Sequence, residues 1–326
     1  MKHAYLIVAH KVDKTLTALL QMLDDPRNDI YLHMDAKNVA FKDTDLPSLG
    51  NASLHLTCRT SVSWGGYSLV RCEMMLFEAA CSNGPYAYYH LISGQDLPIK
   101  TQDQIHSFFS RNAGKEFVRF QSEEFCFQDR VRYFHFFHER CGRGDRKSFW
   151  TFAESVSLAL QRVLGVRRNP DIRFQKGTQW VSVTDDFVRK LVENRKWVES
   201  LFRNTSCADE VYKQTFAINF GFENRLYHPQ FDNDPVAMVR LIDWTRGNPY
   251  VWTIADKEEI LQELMFRFDA VRNAEDKKYV MMNVPDSSLD EVLSMLPASK
   301  APTVIKLATE GWHAVHTVIS EKLFWE

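Results

Sequence analysis

"YYHLISGQDLPIKT", residues 88–101, decides how this chain is read. Residues 86–92 are aromatic and β-branched enough for a buried strand, and Ser93-Gly94 supplies a breaker. Pro98 has no N–H to give to a ladder, so the strand is expected to end before it. Gln95 and Asp96 then fall on a loop beyond the carboxyl end of a central strand, where open α/β sheets bind ligands. A plain β-turn with a capping aspartate fits the same residues, and this stretch alone does not separate the two.

Outward from it, "AYLIVAH" (4–10), "DIYLHMD" (29–35) and "ASLHLT" (52–57) read as strands, with a helix near residues 14–23. "WGGYSLVRCEMMLFEAA" (64–80) opens on two glycines and carries Leu69, Cys72, Leu76 and Ala79 at helical spacing. Strands alternating with helices over the first 110 residues imply an α/β fold with a mostly parallel central sheet flanked by helices. The second half is mixed. Strands are expected at 178–184 and 239–244, a long helix over about 184–202, a helix after Cys207 and another over 255–268. No stretch rich in Pro, Gly or Ser divides the chain. One core over residues 1–270 is expected, with 271–326 a C-terminal extension packed on it or following it.

The chain has 326 residues, 45% hydrophobic and 25% charged, which is ordinary globular composition. A formal charge of −2 gives no global field to attract nucleic acid. Residues 111–176 nevertheless hold 14 Lys+Arg against 8 Asp+Glu. Such a basic middle suits an anionic ligand or a membrane surface, and a solvated face explains it equally well. No run approaches the ~18–20 apolar residues of a spanning helix, and the amino end carries no cleavable leader pattern. Cys58, Cys72, Cys81, Cys126, Cys141 and Cys207 form no C-x-x-C pair and read as free buried thiols. The expected location is cytoplasmic.

Several chemistries drop out on their motifs. The first strand is followed by "HKVDKT", not a dinucleotide fingerprint, and no Walker, G-x-S-x-G or H-E-x-x-H sequence occurs. The triplets Asp43-Thr44-Asp45 and Asp232-Asn233-Asp234 could hold a divalent cation, but both lie in polar, turn-like segments beside Pro47 and Pro235.

Seven stretches share the order and approximate spacing of one family: "AYLIVAHK", "YLHMDAK", "SVSWGGYSLVRCEMMLFEAA", "YYHLISGQDLPIKT", "KGTQWVSVT", "ADEVYKQTF" and "LIDWTRGNPYVWT". Over about residues 3–270 the chain resembles the core-2/I-branching N-acetylglucosaminyltransferases, a group that takes in peptide xylosyltransferases and bacterial relatives building surface polysaccharides. The resemblance implies a GT-A-like single nucleotide-sugar-binding domain. It also implies inverting transfer from a UDP-sugar, UDP-N-acetylglucosamine before UDP-xylose, to a glycan or lipid-linked glycan. No metal cofactor is expected, since the family typically lacks the D-x-D motif. A peripheral place at the inner face of the membrane fits such work. The oligomeric state is left open, and an alternative from another class is a non-catalytic sugar- or nucleotide-binding subunit of an assembly complex.

The site residues follow from the same resemblance. Glu210 matches the family's general base, with Asp209 as its support; by charge alone, both acids suit the start of a helix. His10, Asp35, Gly94 and Asp96 would line the nucleotide-sugar pocket. Arg246 and Arg267 would neutralise the departing diphosphate in place of a metal. Arg267 stands where the family usually has lysine, and Arg240 competes with Arg246 for its alignment. Arg130 and Arg132 resemble cleft-lining cations, on one face if their stretch is a strand. Trp180 could stack an acceptor sugar or simply fill the core.

Overall fold

The computed structural model describes residues 1–141, 148–243, 246 and the backbone of 281–283. Five strands form the main sheet, in the order β3-β2-β1-β4-β6. They are β1 (His3–Ala9), β2 (Asn28–Met34), β3 (Ser53–Leu56), β4 (Tyr88–Ser93) and β6 (Val181–Val183). The first four are parallel, and β6 runs antiparallel to β4. A small second sheet, in the order β5-β8-β7, joins β5 (Asp96–Pro98), β7 (Arg240–Leu241) and β8 (Met281–Asn283).

The strands alternate faces, as the period of two requires. On one face Tyr5, Ile7 and Ile92 pack under α1 (Lys14–Met22) and α3 (Gln102–Arg111) with Leu16, Leu19, Ile105 and Phe109. On the other, Leu6, Tyr89 and Leu91 meet α2 (Tyr67–Asn83), α7 (Asp185–Glu193), α8 (Arg195–Phe202) and α9 (Tyr212–Asn219). Each large side chain fully withdrawn there contributes about 1.5–3 kcal/mol. Between β5 and β6 lie α4 (Gln128–Arg132), α5 (His138–Cys141) and α6 (Phe149–Val163).

The mostly parallel α/β sheet is the one expected, and the differences are local. Asp96, Leu97 and Pro98 form a short strand paired with β8, not a loop; Pro98 sits at its last position, where a missing N–H does least harm. The helix expected over 184–202 is broken at Asn194, whose N–H turns back to the carbonyls of Lys190 and Leu191 before α8 restarts. Of the strand expected over 239–244, only Arg240–Leu241 is a strand among the described residues. Cys58 and Cys126 are exposed rather than buried, while Cys72, Cys141 and Cys207 are buried; all six are free. The helix expected over 255–268 lies outside the described residues.

Candidate active site

Parallel strands deliver their loops to one edge of the sheet, and antiparallel β6 delivers its preceding loop to that same edge. Leu91 pairs with Val181, so residues 176–180 enter the sheet beside the carboxyl end of β4. The end of β2 is there too. Asp35, buried, accepts hydrogen bonds from the N–H groups of Lys37 (2.8 Å) and Val62 (3.4 Å), which ties the β2 loop to the segment before α2. Gly65, in the left-handed region at φ 66°, accepts a bond from the Cys207 N–H at 2.8 Å. A β carbon on Gly65 would lie 2.9 Å from Cys207 Sγ.

That contact seats the turn Ala208–Glu210 at the sheet edge. The Gly177 N–H donates to the Glu210 carbonyl at 2.9 Å, and a β carbon at Gly177 would be 1.7 Å from the Arg119 carbonyl oxygen. Only glycine fits between them. The Glu210 carboxylate, 34% exposed, accepts from Arg130 Nη1 at 2.9 Å and pairs with Lys176 Nζ at 3.2 Å. Both cations also lie over the Phe127 ring, at 4.8 and 4.9 Å from its centre. A partly open carboxylate is thus aimed by two cations and one aromatic face.

Beneath it the interior is charged. Asp209 is buried beside Glu210, and its Oδ1 has no hydrogen-bond partner. Burial first, then the charges of Glu73 and Glu210, pushes its carboxyl up to about 7. Glu73 and Lys213, both fully buried, pair at 2.5 Å. Glu73 also accepts from Tyr212 Oη (2.7 Å) and Gln179 Nε2 (2.8 Å). Burial pushes Glu73 up and Lys213 down, and three donors around one carboxyl group offset that cost. Lys213 donates further to the Asp209 carbonyl at 3.1 Å, so this network holds the turn that carries Glu210.

The other expected residues are placed as follows. His10 is exposed at the end of β1. Gly94 packs against β1: a β carbon there would meet Ala9 Cβ at 2.9 Å, so its closeness is to the neighbouring strand. Asp96 is buried, accepts from the Ser93 N–H at 2.6 Å and is ion-paired with Arg240, whose guanidinium lies 5.0 Å from the centre of the Trp180 ring. Asp96 and Trp180 are thereby tied to Arg240. Arg246 is exposed and pairs with Asp243; Arg267 lies outside the described residues. Residues 128–132 are helical, not a strand, so positions 130 and 132 are about 200° apart and do not share a face. Arg130 meets Glu210, and the half-buried Arg132 does not.

Both D-x-D triplets are turns with local partners. Asp45 accepts from the Lys42 N–H, Asp234 caps Pro235–Met238 through the Val236 N–H, and Asp232 pairs with His228. Among the described residues, His135, His138 and Glu154 bring three metal-capable atoms within 4.8 Å of one another. His135 Nδ1 and Nε2 already meet Glu154 Oε1 (2.8 Å) and the Asp129 carbonyl (3.0 Å), and Glu154 Oε2 takes the Phe137 N–H (2.9 Å). These bonds account for the cluster as a brace for α6.

Sequence reasoning missed Lys176, Glu73 and Lys213. Lys176 opens the quoted stretch "KGTQWVSVT", directly before the glycine that positions Glu210. Glu73 and Lys213 lie on two helices 140 residues apart, and nothing local pairs them.

A model of the Core-2/I-Branching enzyme family matches residues 3–265, and one of the HisG C-terminal domain matches residues 274–326. Over 71 residues the chain is 56% identical to the ATP phosphoribosyltransferase of Bacteroides thetaiotaomicron and 59% identical to that of Phocaeicola vulgatus. Those residues are 22% of this chain and 25% of each relative, so the chain spans about a quarter of the length of the curated relatives it matches. Among solved structures, mouse xyloside xylosyltransferase 1 is 11% identical with a TM-score of 0.34, over 87% of this chain and 99% of that one. The glycosyltransferase GlyE of Streptococcus pneumoniae TIGR4 is 10% identical with a TM-score of 0.31, over 99% and 63%.

Proposed function

The chain belongs to the Core-2/I-branching enzyme family of glycosyltransferases, and from that premise we propose inverting transfer of a sugar from a UDP-sugar to a glycan acceptor. N-acetylglucosamine is the sugar we favour, and surface or capsular polysaccharide the product. One observation carries this reading: the Glu210 carboxylate, partly exposed at the carboxyl edge of a mostly parallel sheet and held by Arg130 and Lys176.

Inversion requires a base that removes the acceptor proton while the hydroxyl attacks the anomeric carbon from the face opposite UDP. Glu210 is assigned that task. Both cations meet Glu210 Oε2, so an acceptor hydroxyl that reaches Oε1 stands where the proton can be taken. Arg130 and Lys176 steady the carboxylate, Gly177 holds the Glu210 carbonyl, and Lys213 holds the carbonyl of Asp209 before it. Charge on the departing diphosphate is assigned to Arg246 and Arg267, a metal-independent arrangement. Arg246 must leave Asp243 to serve, which diphosphate, with its greater charge, can bring about.

The deciding experiment measures UDP release with UDP-N-acetylglucosamine, UDP-xylose and UDP-glucose on a panel of glycan acceptors, with and without EDTA. Turnover with a UDP-sugar that survives chelation is the expected result. Loss of turnover in EDTA, restored by manganese or magnesium, overturns the metal-free assignment. UDP binding with no turnover on any acceptor overturns catalysis in favour of a binding subunit.

A further inference from the structure

Helix α6 is turned inside out. Its buried face carries polar side chains: Glu154 is bound to His135 and the Phe137 N–H. Gln161 accepts from the Phe134 N–H at 2.7 Å and donates to the Phe134 carbonyl at 2.8 Å. Its outer face carries Phe149, Phe152, Val156, Leu160, Val163 and, just past the helix, Leu164. All six are exposed, Phe149 by 70%, Phe152 by 68% and Val163 by 84%. At 100° per residue these positions fall within an arc of about 120°. A helix at the surface of a globular domain normally shows the reverse arrangement.

We propose that this face of α6 docks on an anionic lipid bilayer, lying in the plane of the interface. Charge around the helix fits that occupant. Residues 128–141 and 148–173 hold seven arginines against four acids. Three of the acids are engaged, Asp129 by Arg162, Glu154 by His135 and Glu139 by the Ser68 N–H. Arg130 and Arg173 pair with Glu210 and Glu223, which leaves Arg140, Arg162 and Arg167 as the cations around the helix. Arg167 is exposed just beyond the helix, and Arg140 lies over the Trp150 ring at 4.3 Å, cation beside aromatic as at a headgroup boundary. No helix among the described residues is long and apolar enough to cross a membrane, so the contact is one of lying on the surface.

A second copy of the chain fits less well. A helix of 15 residues is about 22 Å long, and its stripe covers a few hundred Å² at most, against the ~800 Å² per partner of a stable dimer. Two-fold pairing would also set like charges of the rim against each other. A bilayer needs neither a matched surface nor a large one.

The proposal is independent of the glycosyl-transfer reading, and its test measures no turnover. The full chain is sedimented with vesicles of phosphatidylglycerol and phosphatidylcholine, and with vesicles of phosphatidylcholine alone. Binding to the anionic vesicles, weakened by added salt, is expected. The triple variant Phe149→Ser/Phe152→Ser/Leu160→Ser should bind at least about tenfold more weakly, with its melting temperature kept because these side chains are exposed. Arg167→Glu should weaken binding a few-fold, and Val156→Trp should strengthen it, a gain that a misfolded protein cannot produce. The proposal fails if the unaltered chain does not bind, or if the triple variant binds as well. It also fails if the unaltered chain is a dimer that the triple variant splits, which would assign the face to a second copy.

Discussion

The two faces of the central sheet bury titratable groups in opposite ways. Under α1 and α3 lie His3, His90 and His106. His90 Nε2 meets His3 Nδ1 at 3.0 Å, His90 Nδ1 meets Ser182 Oγ at 2.8 Å, and His106 Nε2 meets Asn28 Oδ1 at 3.0 Å. Burial, then mutual repulsion and nearby arginine charge, pushes His90 down to about 3, and burial with Arg27 pushes His106 down to about 4. His3 is driven well below its usual range by the same causes, so all three stay neutral. Under α2 and α9, by contrast, Glu73, Lys213 and Asp209 gather around the turn that bears Glu210. Neutral rings satisfied by one another give a rigid support. A paired charge with a leftover carboxyl beside it keeps electrostatic stress next to an opening to solvent, which is where a perturbed group serves chemistry.

The largest expected effect falls on that second face. Glu210→Gln should lower turnover by ~10²- to 10⁴-fold with little change in UDP-sugar affinity, since the donor is held elsewhere. Near-normal turnover in this variant would move the base to another residue. Next comes Gly177→Ala. Its methyl group has no room beside the Arg119 carbonyl, so we expect a loss of about 3–5 kcal/mol in denaturant unfolding. A stable Gly177→Ala protein would show that Gly177 is not packed against the Arg119 carbonyl.

A pH series sharpens the contrast between the faces. Unfolded histidine titrates near 6.5 and takes up protons that the buried rings refuse, so stability is lost as pH falls from about 6.5 towards 3–4. Asp209 acts the other way. Its unfolded carboxyl ionises near 3.8 and its folded one at about 7, so stability is lost as pH rises between those values. Asp209→Asn should therefore stabilise the protein near neutral pH by up to about 4 kcal/mol, with the gain fading towards pH 4. His90→Gln should flatten the acid limb and leave the neutral one unchanged. Melting curves in which Asp209→Asn gives the same gain at acid and neutral pH would contradict the assigned shift.

The smallest effect is expected at Lys176. The pair with Glu210 is partly exposed, and solvent screening limits its worth to stability to about 0–1 kcal/mol. Lys176→Met should leave the melting temperature nearly unchanged and lower kcat by about three- to tenfold by loosening the carboxylate's orientation. Unchanged kinetics would leave Arg130 as the side chain that aims the carboxylate.

The parallel half was readable because it is encoded locally. Residues 4–10 and 29–35 alternate or run apolar over the length of a strand, residues 64–80 repeat at helical spacing, and hydrophobic period alone settles such segments. The structure places them within one to three residues, as His3–Ala9, Asn28–Met34 and Tyr67–Asn83. The turn at Glu210 was also marked in the sequence, by the stretch "ADEVYKQTF". Its surroundings were not. That residues 128–132 form a helix, that Arg130 and Lys176 converge on one carboxylate, and that Asp96 is bound to Arg240 depend on segments far apart in the chain. The inverted polarity of α6 shows the same divide. The apolar residues of 149–163 share one face only because the segment is helical, and only packing shows that Glu154 and Gln161 point inward. Periodicity determines how a segment coils and which residues share a face. What that face meets is decided by the other segments that fold against it, because burial and ion pairing are properties of the assembled interior and not of any local run of residues.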